Sequence, residues 1–323
     1  DVILGQPDFI SRPAGGGLNQ LNDPSAVRVN SQGRVYVADK NNNRVLVFDP
    51  PFTNGMNGKT FGSGFLAPTG VDVDPTEPGK IWITDQGNTL IKLVYESSGQ
   101  VVKQIGQIKN GNLLGFEVTG SLGIDSTGRV FVATGGRSDY SSEILVFEKS
   151  APTDTPTKTF YWRLGNGITN DELVGFGTGV GVAVANGQLI VNDGRIMFWN
   201  TPNGMADLIS GKAADGIVGV TDFKQPSSPG CCLATKADKS GHLYVSLAIA
   251  GDFATRIEIY QLPLTTGAKP IKVIGEKLLP QGINTLPLLG GGQTELGGLH
   301  FGLVPSDDGK FLWVSDQGGN RVY

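Results

Sequence analysis

The residues best equipped for chemistry in this chain recur in a fixed order. Asp39, Asn43 and Arg44 stand close together, and Asp85 with Asn88, Asp193 with Arg195, and Asp316 with Asn320 and Arg321 restate the set further along. Gathered on one face, Arg44, Asp39, Asp85, Asp316 and Arg321 would form a charged ring able to contact a binding partner. The competing expectation is a clasp, in which each aspartate caps loop amides and pairs with Arg or Asn to hold a hairpin. A residue repeated in a repeat protein usually solves a repeated structural problem, which favours the clasp. A second set is Cys231, Cys232 and His300. Counting back from Gly33, Gly241 and Gly309 puts Pro24, Cys232 and His300 at one equivalent place. Two soft sulfurs and an imidazole suit zinc or copper(I). Cysteines and a lone histidine also sit at turns for packing alone. Arg28 and Asp72 share one position in neighbouring units, which predicts either an ion pair between the units or, if they face an opening, part of a site.

The elements that must position these residues are short strands. Gly33 to Phe48, GRVYVADKNNNRVLVF, is two alternating β-branched runs around a polar turn. Versions return at 79–93, 128–147, 187–199, 241–260 and 309–323. A lone hairpin cannot bury its own apolar face and must lean on its copies. Six units of four strands follow, with approximate boundaries 21–64, 65–117, 118–175, 176–230, 231–298, and 299–323 together with 1–9. The outer strand of the fourth unit is expected around Asp207 to Ile209. The sixth unit lacks an outer strand, while Val2 to Leu4 is an outer-type strand without a unit. The prediction is all-β: a six-bladed propeller of antiparallel blades, in one domain, closed by the N-terminal strand beside Arg321 to Tyr323. Closure removes the sheet edges that invite aggregation. Measured against Arg44 to Phe48, the last strand stops two residues short, so the native chain is expected to continue past Tyr323.

The order Pro-small-small-strand, Gly-basic-strand-Asp, Asn-Arg-strand-aromatic resembles the NHL repeat. It is plainest in LNDPSAVRVNSQGRVYVADKNNNRVLVFDP and in WVSDQGGNRVY. The resemblance implies a six-bladed propeller and places Cys232 and His300 at the mouth of its central channel. Some similar propellers are lyases with zinc held by three histidines, but this chain has only His242 and His300. Calcium-dependent lactonases and related hydrolases resemble it too. Their channel carboxylates would correspond to residues such as Asp74, Asp125, Asn186 and Asp238, which read more naturally as turn formers. No G-x-S-x-G, P-loop or H-E-x-x-H occurs.

Composition narrows the partners. Charged residues are 17% of the chain and the net charge is −4, with no Lys/Arg cluster, so neither nucleic acid nor an anionic membrane is an expected partner. No apolar run is long enough to span a bilayer. The two cysteines are adjacent, which excludes a disulfide framework. Few lysines and many Asn, Gly and Thr suit a processed bacterial protein that is secreted, periplasmic or at the cell surface, its leader already removed. The long loops 49–64, 106–120, 135–142, 211–230 and 276–298 depart from the repeat and are candidates for function. The expected function is a non-catalytic binding or scaffolding propeller, contacting a protein or a glycan through its channel face and long loops, with no cofactor. The alternative is a calcium-dependent hydrolase or lyase at the channel mouth, and zinc is the second ion the residues admit.

Overall fold

Each blade begins with a strand whose hydrogen-bonding edge turns inward and ends with one at the rim. The computed structural model describes residues 2–105, 122–134, 141–149, 158–163, 181–192, 195–209, 212–219, 232–248, 255–274, 285–286, 302–306 and 311–323. Blade 1 is β1 (Pro24–Val29), β2 (Val35–Asp39), β3 (Arg44–Phe48) and β4 (Lys59–Phe61), and blade 2 is β5 (Pro68–Val73), β6 (Lys80–Asp85), β7 (Leu90–Tyr95) and β8 (Val101–Ile105). Blade 3 is β9 (Leu122–Ile124), β10 (Val130–Thr134), β11 (Ser141–Phe147) and β12 (Lys158–Arg163); blade 4 is β13 (Gly181–Ala185), β14 (Gln188–Asn192), β15 (Ile196–Asn200) and β16 (Gly216–Ile217). Blade 5 comprises β17 (Cys232–Ala237), β18 (His242–Ala248), β19 (Thr255–Gln261), β20 (Lys272–Ile274) and β21 (Thr285–Leu286). Blade 6 has β22 (Leu303–Pro305), β23 (Leu312–Asp316) and β24 (Arg321–Val322).

The alternation in each strand has a direct structural cause. Blades stack face to face, so both faces of a middle strand are buried and each is assigned to a different neighbour. Val35, Val37, Leu46 and Phe48 pack with Leu4, Val304 and Trp313 of blade 6. Tyr36, Ala38, Val45 and Val47 point the other way, onto Val71, Ile81 and Ile83 of blade 2. Each Val, Leu, Ile or Phe among them, fully buried, stabilises by about 1.5–3 kcal/mol. The recurring glycine before each second strand is a requirement of the turn. Gly33, Gly79, Gly128, Gly187 and Gly241 all have φ between 70° and 86°, where a β-carbon would be strained.

Closure occurs as expected. Leu4 N–H donates to Val322 O and Val322 N–H to Leu4 O, both at 2.9 Å, and Ile3 and Leu4 are fully buried. Two features depart from expectation. The outer strand of blade 4 is β16, not 207–209: Gly204–Asp207 forms a 3-10 turn, and Leu208 turns into the core beside Trp199 and Ile217. An apolar residue drawn inward there leaves its segment unable to follow the rim. Blade 5 carries a fifth strand, β21, parallel to β20.

Candidate functional site

The Asp-Asn-Arg set lies at the end of the ring where second strands turn into third strands and where the chain arrives from the preceding blade. In blade 1, Asp39 is fully buried, and its Oδ1 accepts the amide of Asn22 at 2.7 Å on the incoming chain. Its Oδ2 accepts from Asn42 Nδ2 at 2.8 Å and Arg44 Nε at 2.7 Å. The remaining guanidinium nitrogens of Arg44 donate to the carbonyls of Gly16, Gly17 and Gln20, at 2.8 to 2.9 Å. One ion pair thus fastens the turn to residues 15–22. Burial pushes the Asp39 carboxyl above the ordinary aspartate value, against the bonds from Asn42, Asn22 and Arg44.

Blades 2 and 6 repeat the device with substitutions. Asp85 Oδ1 accepts the amide of Leu66 at 2.7 Å, and Asn88 Nδ2 bridges Asp85 to the carbonyl of Gly64. Leu90 stands opposite Asp85 where arginine stands in blade 1, and Lys92 supplies the cation from two residues on, 2.5 Å from Asp85 and 2.9 Å from Gly64 O. In blade 6, Arg321 and Asp316 are both fully buried, with Nε to Oδ2 at 3.0 Å, and Arg321 Nη1 donates to Phe9 O at 2.6 Å. Gly319 replaces Asn42 there, because a β-carbon would collide with the Asp316 carboxylate. The asparagines reach the next blade: Asn43 Oδ1 accepts the amide of Ala67 at 2.8 Å, and Asn320 Oδ1 that of Asp23 at 2.9 Å. Both sit at positive φ, 54° and 50°, which asparagine tolerates. Asp39, Arg44, Asp85, Asp316 and Arg321 therefore direct their hydrogen bonds into the protein, as the clasp reading requires. Blade 5 has lost the arrangement. Leu247 stands opposite Arg256, whose Nη2 instead meets Glu258 at 2.6 Å.

The carboxylates at the opposite ends of the first strands are turn formers. Asp74 accepts from the amides of Thr76 and Glu77, the Thr76 hydroxyl and Trp82 Nε1. Asp125 accepts from Thr127 and Arg129. Burial works against its charge, but those bonds together hold the carboxyl below the ordinary range. Asp238 accepts from the amides of Ser240 and His242, with His242 Nδ1 at 2.9 Å and the Tyr244 hydroxyl at 3.2 Å from its Oδ2. Burial and the Asp238 charge push the Tyr244 phenol up to about 12. Asn186 takes a left-handed φ of 48°.

Cys231 and His300 lie outside the described residues. For Cys232 only the backbone is described. It opens β17 with the same register break that Pro24 makes in β1 and Pro68 in β5, so the three positions are structurally equivalent. Among the described residues no three His, Cys, Asp or Glu side chains are grouped to hold a metal ion.

The innermost strands bring together charges that the sequence separates. The residues paired with Tyr36, Trp82, Phe131, Ile190, Tyr244 and Trp313 are Arg28, Asp72, Gly123, Ala183, Lys236 and Val304, one from each blade at one level of the ring. Lys236 extends from blade 5 to Asp72 of blade 2, on the opposite side of the ring, with Nζ 2.5 Å from Oδ1. It also donates to the carbonyl of Leu122 at 2.9 Å, while the Leu122 amide donates to Asp72 Oδ2 at 3.3 Å. The expected partnership of Arg28 with Asp72 is replaced by this longer one. Lys236 escaped notice in the sequence, although it stands five residues before Gly241 as Arg28 stands five before Gly33.

Residues 21–48 match the NHL repeat. No curated protein sequence matches the chain. Solved structures share the architecture at low identity. A chain of Kuenenia stuttgartiensis hydrazine synthase aligns with a TM-score of 0.55 at 12% identity, covering 98% of this chain and 78% of that one. The PQQ domain of pyranose dehydrogenase from Coprinopsis cinerea aligns at 0.52 and 14%, covering 94% and 92%, and a chain of a mitotic checkpoint complex at 0.52 and 11%, covering 98% and 96%. Identities this low speak for the fold alone. With its six blades and its closure the chain is a six-bladed β-propeller, and its first repeat, residues 21–48, matches the NHL repeat.

Proposed function

We propose that this propeller is a non-catalytic binding or scaffolding module that holds a protein partner on the clasp end of its ring. The observation that carries the reading is the segment between the closing strand and blade 1. It is fastened by Arg44 and Arg321 through four carbonyls and by Asn320 Nδ2 to Arg12 O, yet it presents Ile10 at 72% and Leu18 at 44% exposure. Leu66, on the next connection, is also exposed. Apolar side chains on a backbone already ordered offer burial without a further ordering cost, which favours a protein surface as the ligand. A chain of the mitotic checkpoint complex shows a ring of this build inside a protein assembly. The acidic composition supports a partner other than nucleic acid, and no helix among the described residues is long and apolar enough to cross a membrane. We place the protein in the bacterial envelope or outside the cell, on the lysine-poor, Asn- and Thr-rich composition. The test is affinity capture from the source cells with wild type and with Ile10→Asp/Leu18→Asp. One partner captured stoichiometrically by wild type and lost from the variant is expected. Calorimetric calcium binding abolished by Asp74→Asn or Asp125→Asn would replace this reading with the calcium-dependent enzyme.

A further inference from the structure

We infer that the central channel contains a binding site for a carboxylate, built from Arg28 and Lys236 around Asp72. This inference concerns the inside of the ring and does not depend on the proposed role of the clasp end. Three of the six residues at this level are charged and the other three, Gly123, Ala183 and Val304, are not. Two cations therefore face one anion. Asp72 is committed to Lys236 and to the Leu122 amide, and Lys236 also to the Leu122 carbonyl. Arg28 is left over: its Nε is buried without a hydrogen-bond partner among the described residues. It is near enough to Lys236 that its charge adds to burial in pulling the ammonium below the usual lysine value, with Asp72 opposing.

A buried guanidinium nitrogen without an acceptor is destabilising, as is net positive charge held away from water. The charge balance states what would relieve both. Among the described residues one negative charge is missing, and Arg28 offers a planar fork that matches a carboxylate in two parallel bonds. A phosphate or sulfate dianion would overcompensate the single excess charge and be repelled by Asp72. Arg28 as a whole is only partly buried, so the residue is not sealed off from solvent. The six-fold repeat also argues that this is more than a structural pairing. A blade needs no charge at this level, because blades 3, 4 and 6 are built without one.

The carboxylate can belong to a free small acid or to an acidic side chain of a partner, and the two are separable. The probes are 13C-acetate and hexaglutamate, titrated into the intact protein and followed by NMR line broadening and by calorimetry. Saturable binding is expected, at millimolar concentrations for acetate, and the probe that binds more tightly identifies the source. Arg28→Gln should weaken it at least tenfold. Asp72→Asn leaves both cations without their anion and should tighten it several-fold, an increase that damage to the fold cannot imitate. Absence of saturable binding of either probe to the wild type, or binding indifferent to both substitutions, would overturn the site.

Discussion

The clasp end and the channel treat charge in opposite ways. At the clasps of blades 1, 2 and 6 the same groups recur, their bonds are local, and each carboxylate oxygen is met by donors within its own blade or on the chain arriving there. In the channel the equivalent position changes from blade to blade. Among the described residues one ion pair stands at this level and crosses the ring, between residues 164 apart in sequence, and a buried arginine nitrogen is left without an acceptor. Repetition marks a structural problem solved many times. Failure to repeat marks a place with another task.

The largest effect expected from breaking this contrast is at Arg321. Arg321→Ala leaves Asp316 fully buried without its cation and frees Phe9 O, so urea unfolding should show a loss of about 3–5 kcal/mol. Arg44→Ala removes a partly exposed arginine from an aspartate that keeps Asn42 and the Asn22 amide, and should cost less, about 2 kcal/mol. If Arg44→Ala proved the more damaging, the three carbonyl bonds to residues 16–20 would outweigh the buried pair. Asn43→Gly keeps the left-handed backbone and loses only the bond to Ala67, so it should cost about 1 kcal/mol, against about 2 kcal/mol for Asn43→Ala. Lys236→Met should cost a similar 1–2 kcal/mol, well below Arg321→Ala, because Arg28 is at hand to take over Asp72.

The smallest effects are those of pH, and they have opposite signs. The folded carboxyls of Asp125 and Asp238 lie below their unfolded values, so the stability they contribute is present above about pH 4 and lost as pH falls through their folded values. Burial raises the Asp39 carboxyl, so the folded state binds its proton more readily and stability falls as pH rises from about 4 through the folded value. Unfolding of Asp125→Asn and Asp39→Asn across pH 2 to 7 should therefore flatten the stability profile in opposite directions. A change of the same sign in both would mean that the Arg44 and Asn42 bonds outweigh burial at Asp39.

The fold was legible because its signals are local and repeated. The glycine at positive φ in the first turns of blades 1 to 5, the alternation in the strands and the unmatched strand at Val2 to Leu4 each show a physical demand within a few residues. The spacing that pairs Asp39 with Arg44 was legible for the same reason. The outer strand expected around Asp207 to Ile209 does not form there, because the inward turn of Leu208 is decided by its packing beside Trp199 and Ile217, not by its own neighbours in the chain.

The sequence by itself determined a ring of six units, its seam and the residues that fasten the turns of blades 1, 2 and 6, since hydrogen bonds between near neighbours and two-faced burial follow from spacing alone. Only the tertiary structure decided that Lys236 meets Asp72 across the channel and that Arg28 is left beside them. Which charges face one another at the axis depends on how blades 2 and 5 are placed around the ring, and no periodicity along the chain encodes a distance across it.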